Sequence, residues 1–125
     1  MQYSYFKKKK AYDYGLESED LAAKELVKLG MNILAKRFHT PFGELDLIMQ
    51  DKEYTVFVEV KARRDMEQKE IVSRSKIIKV CKAADFYMMK LELPQDMAVR
   101  FDYIAIEGSH IVSHIKNAWD YYPHS

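Results

Sequence analysis

The chain has 125 residues, of which 48% are hydrophobic and 31% are charged, and its 20 Lys and Arg nearly balance its 19 Asp and Glu. This composition is typical of one globular domain with its own core, and a net charge of +1 does not indicate a chain that binds nucleic acid through bulk charge. No run approaches the roughly 18 to 20 apolar residues of a membrane span, and the amino terminus lacks the apolar stretch of a signal peptide. The single Cys81 excludes an intramolecular disulfide and fits a reducing compartment. We therefore expect a cytoplasmic protein with no membrane partner.

The first 14 residues are rich in tyrosine and lysine and follow neither a helical nor a strand period. This pattern predicts a basic aromatic tail, residues 1–14, ahead of a single domain over residues 15–125. The alternative is a segment that stacks on bases and binds phosphates.

A helix is predicted from Ser18 to Leu29, with Ser18 as its N-cap and Gly30 as its stop, although its start could lie nearer Gly15. Glu19 lies one turn before an apolar stripe at helical spacing, which is formed by Ala22, Leu26 and Leu29. A carboxylate on this side either has a partner near the core or stays exposed and interacts with the helix dipole.

A hairpin is the most informative part of the sequence. A strand at Met31 to Phe38 and a loop at His39 to Gly43 lead into it. Two apolar runs, Leu45 to Met49 and Tyr54 to Val60, then flank the polar segment Gln50 to Glu53. This pattern predicts two antiparallel strands joined by a tight turn.

The predicted register of this hairpin gives one entirely apolar face. Its pairs are Met49 with Tyr54, Leu47 with Val56, and Leu45 with Val58. On the opposite face, Glu44 then lies directly across from Glu59, and Asp46 lies diagonal to Glu59. Lys61 shares that face because it follows Glu59 by two residues.

Like charges so close together in a sheet need compensation, which a Mg²⁺ ion bound by Asp46 and Glu59 would supply. Lys61 would add positive charge beside the ion. An acid followed by acid-x-Lys on adjacent strands therefore predicts cleavage of a phosphodiester by water, assisted by metal and lysine. The alternative is a solvated strand face with a surface ion pair.

A second long helix is predicted from Ser73 or Ser75 to about Leu91, after a polar loop at Asp65 to Ser73. Its apolar stripe consists of Ile77, Val80, Cys81, Ala84, Met88 and Leu91. The stripe places the Cys81 thiol in the core rather than at a reactive site. The other side of the helix carries the basic residues Lys76, Lys79 and Lys82. With Arg63 and Arg64, these either contact a phosphate backbone or form a solvated face.

The last third of the chain predicts strands at Val99 to Ile106 and at His110 to Lys116. Arg100 and Asp102 share a face, where they pair with each other or Asp102 supports a catalytic group. In the last strand, His110 and His114 would be roughly 13 Å apart, too far to share a metal. The chain ends in aromatic residues, Trp119, Tyr121 and Tyr122 among them. We expect them to cover an edge of the sheet or to form a surface for a partner.

The hairpin residues resemble the hallmark of the YraN family of restriction-endonuclease-like proteins, in the PD-(D/E)-x-K nuclease superfamily that includes archaeal Holliday-junction resolvases. The resemblance depends on Gly43 to Ile48 and on Val56 to Arg64. Weaker matches extend it from about Gly15 to Trp119, at Gly15, Glu19, Ala22, Lys76, Ala83-Ala84, Arg100 to Asp102, His114-Ile115 and Asn117-Ala118. Ser73 to Ser75 depart from the Thr-Pro-Ala-like segment of many members.

The element order predicts, and the resemblance implies, an α/β fold: a restriction-endonuclease-like three-layer sandwich with a mixed central sheet flanked by helices. The resemblance further implies an endonuclease that uses Mg²⁺ or Mn²⁺ to hydrolyse phosphodiester bonds in DNA, with branched DNA among its candidate substrates. The expected site has Asp46 and Glu59 as metal ligands and catalytic residues, Lys61 and Glu19 as further catalytic residues, and Glu44 in support. The residues expected to bind DNA are Lys76, Lys79, Arg63 and Arg64. Two alternatives stay open, a non-catalytic nucleic-acid-binding or adaptor module with the same fold and a homodimerising scaffold.

Overall fold

A computed structural model describes residues 17–63 and 72–121 of the chain. The predicted tail at residues 1–14, most of the predicted loop at Asp65 to Ser73, Arg64 and Tyr122 lie outside the described residues. The described elements are α1 (residues 17–28), β1 (Asn32–Thr40), β2 (Gly43–Asp51), β3 (Tyr54–Arg63), α2 (Arg74–Lys90), β4 (Val99–Glu107) and β5 (His110–Ile115). Neither described helix has the length and the hydropathy that crossing a bilayer requires.

The five strands form one mixed sheet in the order β1-β2-β3-β4-β5. Strands β1, β2 and β3 are antiparallel neighbours, β3 and β4 are parallel, and β4 and β5 are antiparallel. Helix α2 lies between β3 and β4 in the chain. This is the connection that parallel strands need, because a tight turn cannot join them.

Two apolar clusters cover the two faces of the sheet. The cluster on the α1 side includes Leu26 of α1 with Leu47 and Val58, whereas the cluster on the α2 side includes Tyr87 of α2 with Phe57. A helix on each face of a mixed sheet is a three-layer sandwich. The predicted restriction-endonuclease-like architecture is therefore confirmed.

Two details of the first helix differ from the prediction. Glu17 is already helical and Ser18 is buried inside the helix, so Ser18 is not the N-cap. Leu29 is 67% exposed and lies outside the apolar stripe, because the helix has ended one residue earlier. Gly30 follows with φ +98°, a conformation that suits glycine and confirms it as the stop.

The hairpin of β2 and β3 has a different register from the predicted one. Leu47 pairs with Val58 and Met49 pairs with Val56, so the strands are offset by two residues from the prediction. An offset of two keeps each residue on its face, whereas an offset of one would exchange the faces. The predicted apolar face is wrong at Leu45, which packs in the α2-side cluster while Leu47 packs in the α1-side cluster.

Helix α2 confirms most of its predicted features. Ser73 is its N-cap, and the Ser73 hydroxyl accepts a hydrogen bond of 3.2 Å from the backbone N–H of Lys76. Cys81 is fully buried in the α2-side cluster. The predicted stripe is wrong at Leu91, which caps the carboxyl end of the helix and is exposed.

The predicted pairing of Arg100 with Asp102 is confirmed and forms part of a larger network. Asp102 is fully buried, and its carboxylate accepts two hydrogen bonds from Arg100, at 2.9 and 3.1 Å. The backbone N–H of Asn117 donates a third at 3.0 Å, and His114 Nε2 lies 3.0 Å from the same group. These contacts lower the pKa of Asp102 against the opposing effect of burial. The network joins β4, β5 and the turn that follows β5.

Trp119 and Tyr121 pack against the α2-side cluster on one face of the sheet, whereas the sequence predicted that the terminal aromatic residues cover an edge or form a partner surface. The Trp119 ring stacks on Phe101 with centroids 5.6 Å apart, and Phe101 stacks on Phe57 at the same distance. Both terminal rings pack against the cluster. They therefore extend the core beyond β5.

Candidate metal centre

Asp46 and Glu59 come together where the ladder between β2 and β3 ends. Leu47 and Val58 are the last paired residues, and the same register continued by one step sets Asp46 beside Glu59. At this position the contact between β2 and β3 is made by the Asp46 side chain. Its Oδ2 accepts a hydrogen bond of 2.8 Å from the Val60 N–H. The prediction that Glu44 lies opposite Glu59 is therefore wrong, and Asp46 is the direct neighbour.

Asp46, Glu59 and Lys61 line one cavity of about 500 Å³. Ser73 and Lys76, from the amino-terminal end of α2, line the same cavity, as do Val60, Val72 and Tyr103. The cavity is thus built from the carboxyl end of β3 and the start of the helix that follows it. Open α/β sheets bind ligands at this edge.

The two carboxyl groups are held in an environment that disfavours their joint ionisation. Burial, and then the charge of Glu59, raises the pKa of Asp46 to about 8. Burial also raises the pKa of Glu59, while the charge of Lys76 opposes that rise. When Asp46 is protonated, its hydroxyl can donate to the Glu59 carboxylate, and this contact raises the pKa of Asp46 while it opposes the rise in the pKa of Glu59.

Glu59 keeps an acceptor that the described protein atoms leave unused. The residue is only 7% exposed, and its Oε2 is buried without a hydrogen-bond partner. Its other oxygen, Oε1, lies 3.5 Å from Lys76 Nζ. A buried acceptor of this kind is costly unless a proton donor or a cation satisfies it.

A second group of acids adjoins the first through Asp46. One carboxylate oxygen from each of Glu19, Glu44 and Asp46 lies within 4.8 Å of the others. Burial, and then the charge of Asp46, raises the pKa of Glu19 to about 7. The structure therefore brings together all four predicted acids of the site, with Asp46 in contact with both groups.

Arg37 of β1 balances part of this negative charge. Its guanidinium Nη1 lies 3.2 Å from Glu19 Oε1 and 3.5 Å from Asp20 Oδ1. The backbone of Arg37 has φ +49°, in the left-handed region that a side chain such as arginine seldom adopts. The Arg37 guanidinium is thus paired with acids of α1.

The residues predicted to bind DNA occupy different environments. Lys76 lines the cavity and its side chain is 50% exposed, and Lys79 is exposed one turn later on α2. The Arg63 side chain is mostly buried and its Nε lies 3.8 Å from Glu107. Arg64 is outside the described residues. Lys76 is thus the predicted DNA-binding residue that lies at the candidate metal centre.

Three contributors to the site were not predicted from the sequence. They are the Val60 backbone N–H, Tyr103 in the lining of the cavity, and the Arg37 contact with Glu19. The first depends on the true register of the hairpin. The second depends on the parallel pairing of β3 with β4, which sets Tyr103 beside Glu59. No local sequence pattern carries either of these long-range pairings.

Comparison with known proteins places the chain in a family. The model of the family described as "Uncharacterised protein family UPF0102" matches residues 18–106, a span that contains all four acids of the site. The chain belongs to the UPF0102 family. This is the YraN family, so the resemblance seen in the hairpin residues is confirmed.

UPF0102 proteins from several bacteria match most of the chain. One from Campylobacter fetus subsp. fetus is 40% identical over 103 residues, which are 82% of this chain and 90% of that protein. One from Nitrobacter winogradskyi is 34% identical over 111 residues, 88% of this chain and 94% of that protein. One from Persephonella marina is 38% identical over 109 residues, 85% and 92% of the two chains. Each match thus covers more than four fifths of this chain.

Proposed function

We propose that this UPF0102 protein is a nuclease that hydrolyses phosphodiester bonds in DNA with the help of Mg²⁺ or Mn²⁺. The observation that carries the proposal is the pair formed by the partly buried Asp46 and the buried Glu59, which share a cavity with Lys61 and Lys76. A carboxylate pair that must retain a proton in the absence of a cation is poorly suited to a purely structural role. It is well suited to a divalent ion, which would replace that proton.

The donor set fits a hard divalent cation. Asp46 and Glu59 offer carboxylate oxygens, the ligand type that Mg²⁺ and Mn²⁺ prefer, and Glu59 Oε2 is a buried acceptor available to such an ion. Glu19 and Glu44 extend the acidic group from the Asp46 side. The cation would supply positive charge against the scissile phosphate and activate water for attack.

The protein's own groups would hold and orient the DNA. Lys76 is half exposed at the cavity and pairs with Glu59, so its ammonium group can contact a phosphate while it keeps Glu59 in place. Lys61 lines the cavity from β3 and would stabilise charge that develops on the phosphate oxygens. The Ser73 hydroxyl and the amino-terminal turn of α2, which has no acidic residue, favour an anion on the same side.

DNA cleavage by the purified protein tests the proposal. With Mg²⁺ or Mn²⁺, the wild-type protein should cut or nick DNA, assayed on linear, single-stranded and branched substrates in parallel. Asp46→Asn should lower the cleavage rate by about 100-fold or more, because it removes a metal ligand. In metal sites, loss of a group that only supports a ligand already costs about 10- to 100-fold in affinity or activity. Asp96→Asn, an identical change at an exposed position between α2 and β4, should leave the rate unchanged.

Two results would contradict the nuclease proposal. Equal cleavage by the Asp46→Asn and wild-type proteins would point to a contaminating enzyme. DNA binding that weakens with salt but ignores divalent ions, without cleavage of any substrate, would instead favour the non-catalytic nucleic-acid-binding or adaptor module.

A further inference from the structure

An exposed aromatic residue precedes the strand that carries Asp46. Phe42 is 45% exposed at the tip of the turn that joins β1 to β2. Tyr54 is the other exposed aromatic residue in the described part of the chain, and the Arg100 guanidinium lies over its ring at 5.5 Å. Isolated exposed apolar residues are common, so exposure alone does not give Phe42 a role.

The turn that carries Phe42 is held in one conformation. Thr40 pairs with Gly43, so only Pro41 and Phe42 form the turn, and proline fixes one of its backbone angles. The Thr40 hydroxyl donates to the Gly43 carbonyl at 2.7 Å and accepts from the Phe42 N–H at 3.0 Å. Gly43 has φ +132°, which a residue with a side chain seldom adopts. A ring on such a turn loses little conformational entropy when it binds a partner.

The turn lies at the same edge of the sheet as the metal centre. It is adjacent to Glu44, whose carboxylate groups with that of Asp46. Asp46 follows Phe42 by four residues, which corresponds to roughly 14 Å between their backbones at about 3.4 Å per residue. The bases of one DNA strand are also about 3.4 Å apart along the duplex, so this distance corresponds to roughly four nucleotides.

A flat apolar ring at this distance suits a nucleic-acid base better than a phosphate. Stacking of a base on an aromatic side chain is worth about 1 to 3 kcal/mol and is available to any base whose face is accessible. The bases inside an intact duplex cover each other's faces. A ring that stacks on a base therefore distinguishes DNA with unpaired bases from fully paired DNA.

We infer that Phe42 is a positioning residue that stacks on an unpaired base of the substrate, roughly four nucleotides from the bond at the metal centre. This inference depends on the proposed function for the identity of the substrate as DNA. It assigns the preference for DNA with unpaired bases to one side chain outside the acidic site. Phe42 does not contact the reacting atoms.

Binding measured without cleavage tests the role of Phe42. The DNA is a duplex with a three-nucleotide bubble that contains 2-aminopurine, a base whose fluorescence falls when it stacks on an aromatic ring. The protein carries Asp46→Asn, which prevents cleavage and removes negative charge from the site. A protein that carries Phe42→Ala as well as Asp46→Asn should bind the bubble roughly 5- to 100-fold more weakly than the Asp46→Asn parent, and it should cause no fluorescence change. Binding to the fully paired duplex of the same sequence should change less than about twofold.

Matched variants separate stacking from general loss of apolar surface. Phe42→Trp should retain the quenching, and Phe42→Leu should lose it although the residue stays apolar. Leu29→Ala, at a more exposed apolar position after α1, should bind the bubble like its parent. An equal loss of affinity for bubble and duplex in Phe42→Ala, or no loss for either, would overturn the inference.

The outcome for Phe42 can be told apart from the outcome for the nuclease. If wild-type protein cuts DNA but Phe42→Ala changes neither quenching nor affinity, the stacking role fails and the nuclease stands. If quenching depends on Phe42 but no substrate is cut with any divalent ion, the nuclease fails and the stacking role stands.

Discussion

Replacement of Asp46 by asparagine should stabilise the metal-free protein at alkaline pH. An asparagine amide donates to Glu59 as protonated Asp46 does, and its carbonyl oxygen can accept from the Val60 N–H. The pKa of Asp46 is raised from its ordinary 3.8 to about 8, so its stabilising contribution is complete below pH 4 and is lost as pH rises through 8. Each pH unit in this interval corresponds to about 1.4 kcal/mol, and structural relaxation will recover part of the total. We expect the variant to exceed wild type by about 1 to 3 kcal/mol at pH 8.5, and this difference to shrink to roughly a few tenths of a kcal/mol at pH 4.

Thermal or urea unfolding in EDTA at both pH values measures this difference. For a domain of this size, the expected gain corresponds to a rise in Tm of about 3 to 12 °C at pH 8.5. Asp96→Asn makes the same chemical change at an exposed position and should show the wild-type pH dependence. Parallel pH profiles for wild type and Asp46→Asn would show that Asp46 is not held protonated, and the electrostatic reasoning about the site would be wrong.

Other consequences of the structure can be measured in similar ways. Binding of Mn²⁺ should strengthen as pH rises toward 8, because the raised pKa of Asp46 means that a proton must leave the acid pair, and calorimetry in two buffers should detect its release. Metal affinity that is flat between pH 6 and 8 would contradict this. Asp102→Ala should lower the free energy of unfolding by about 3 kcal/mol, because Arg100 and the Asn117 N–H lose a buried acceptor while Asp51 still pairs with Arg100. A loss below about 1 kcal/mol would show that the network relaxes easily. Ser73→Ala should cost about 1 kcal/mol by removing the cap of α2, and an unchanged urea midpoint would contradict that role.

The hairpin shows how far local pattern can determine structure. Alternation placed Asp46 and Glu59 in one region, and the observed cavity confirms that they face it together. The register was wrong by two residues because Gln50 and Asp51 continue the strand. Only Lys52 and Glu53 form the turn, with Lys52 at φ +55°. The alternation of apolar and polar residues strongly constrains which face of the sheet a residue occupies. It does not distinguish registers that differ by an even number of residues.

Local sequence patterns did not predict the contacts between elements that are distant in the chain. The pairing of Lys76 with Glu59 requires α2 to start beside the end of β3, and the pairing of Arg37 with Glu19 requires α1 to lie next to β1. Leu45 was placed on the wrong side because strict alternation fails between it and Leu47. These features come from tertiary packing, which single-sequence periodicity does not report.

The order of the strands in the sheet also bears on how the protein folds. Because every strand pairs with its neighbours in the chain, most pairing closes short loops, which favours rapid folding. The hairpin of β2 and β3 can therefore form before α2 docks, and it brings Asp46 and Glu59 together before Lys76 arrives to offset their charge. The step that assembles the acidic pair works against electrostatic repulsion, so protons or divalent ions present during folding would ease it.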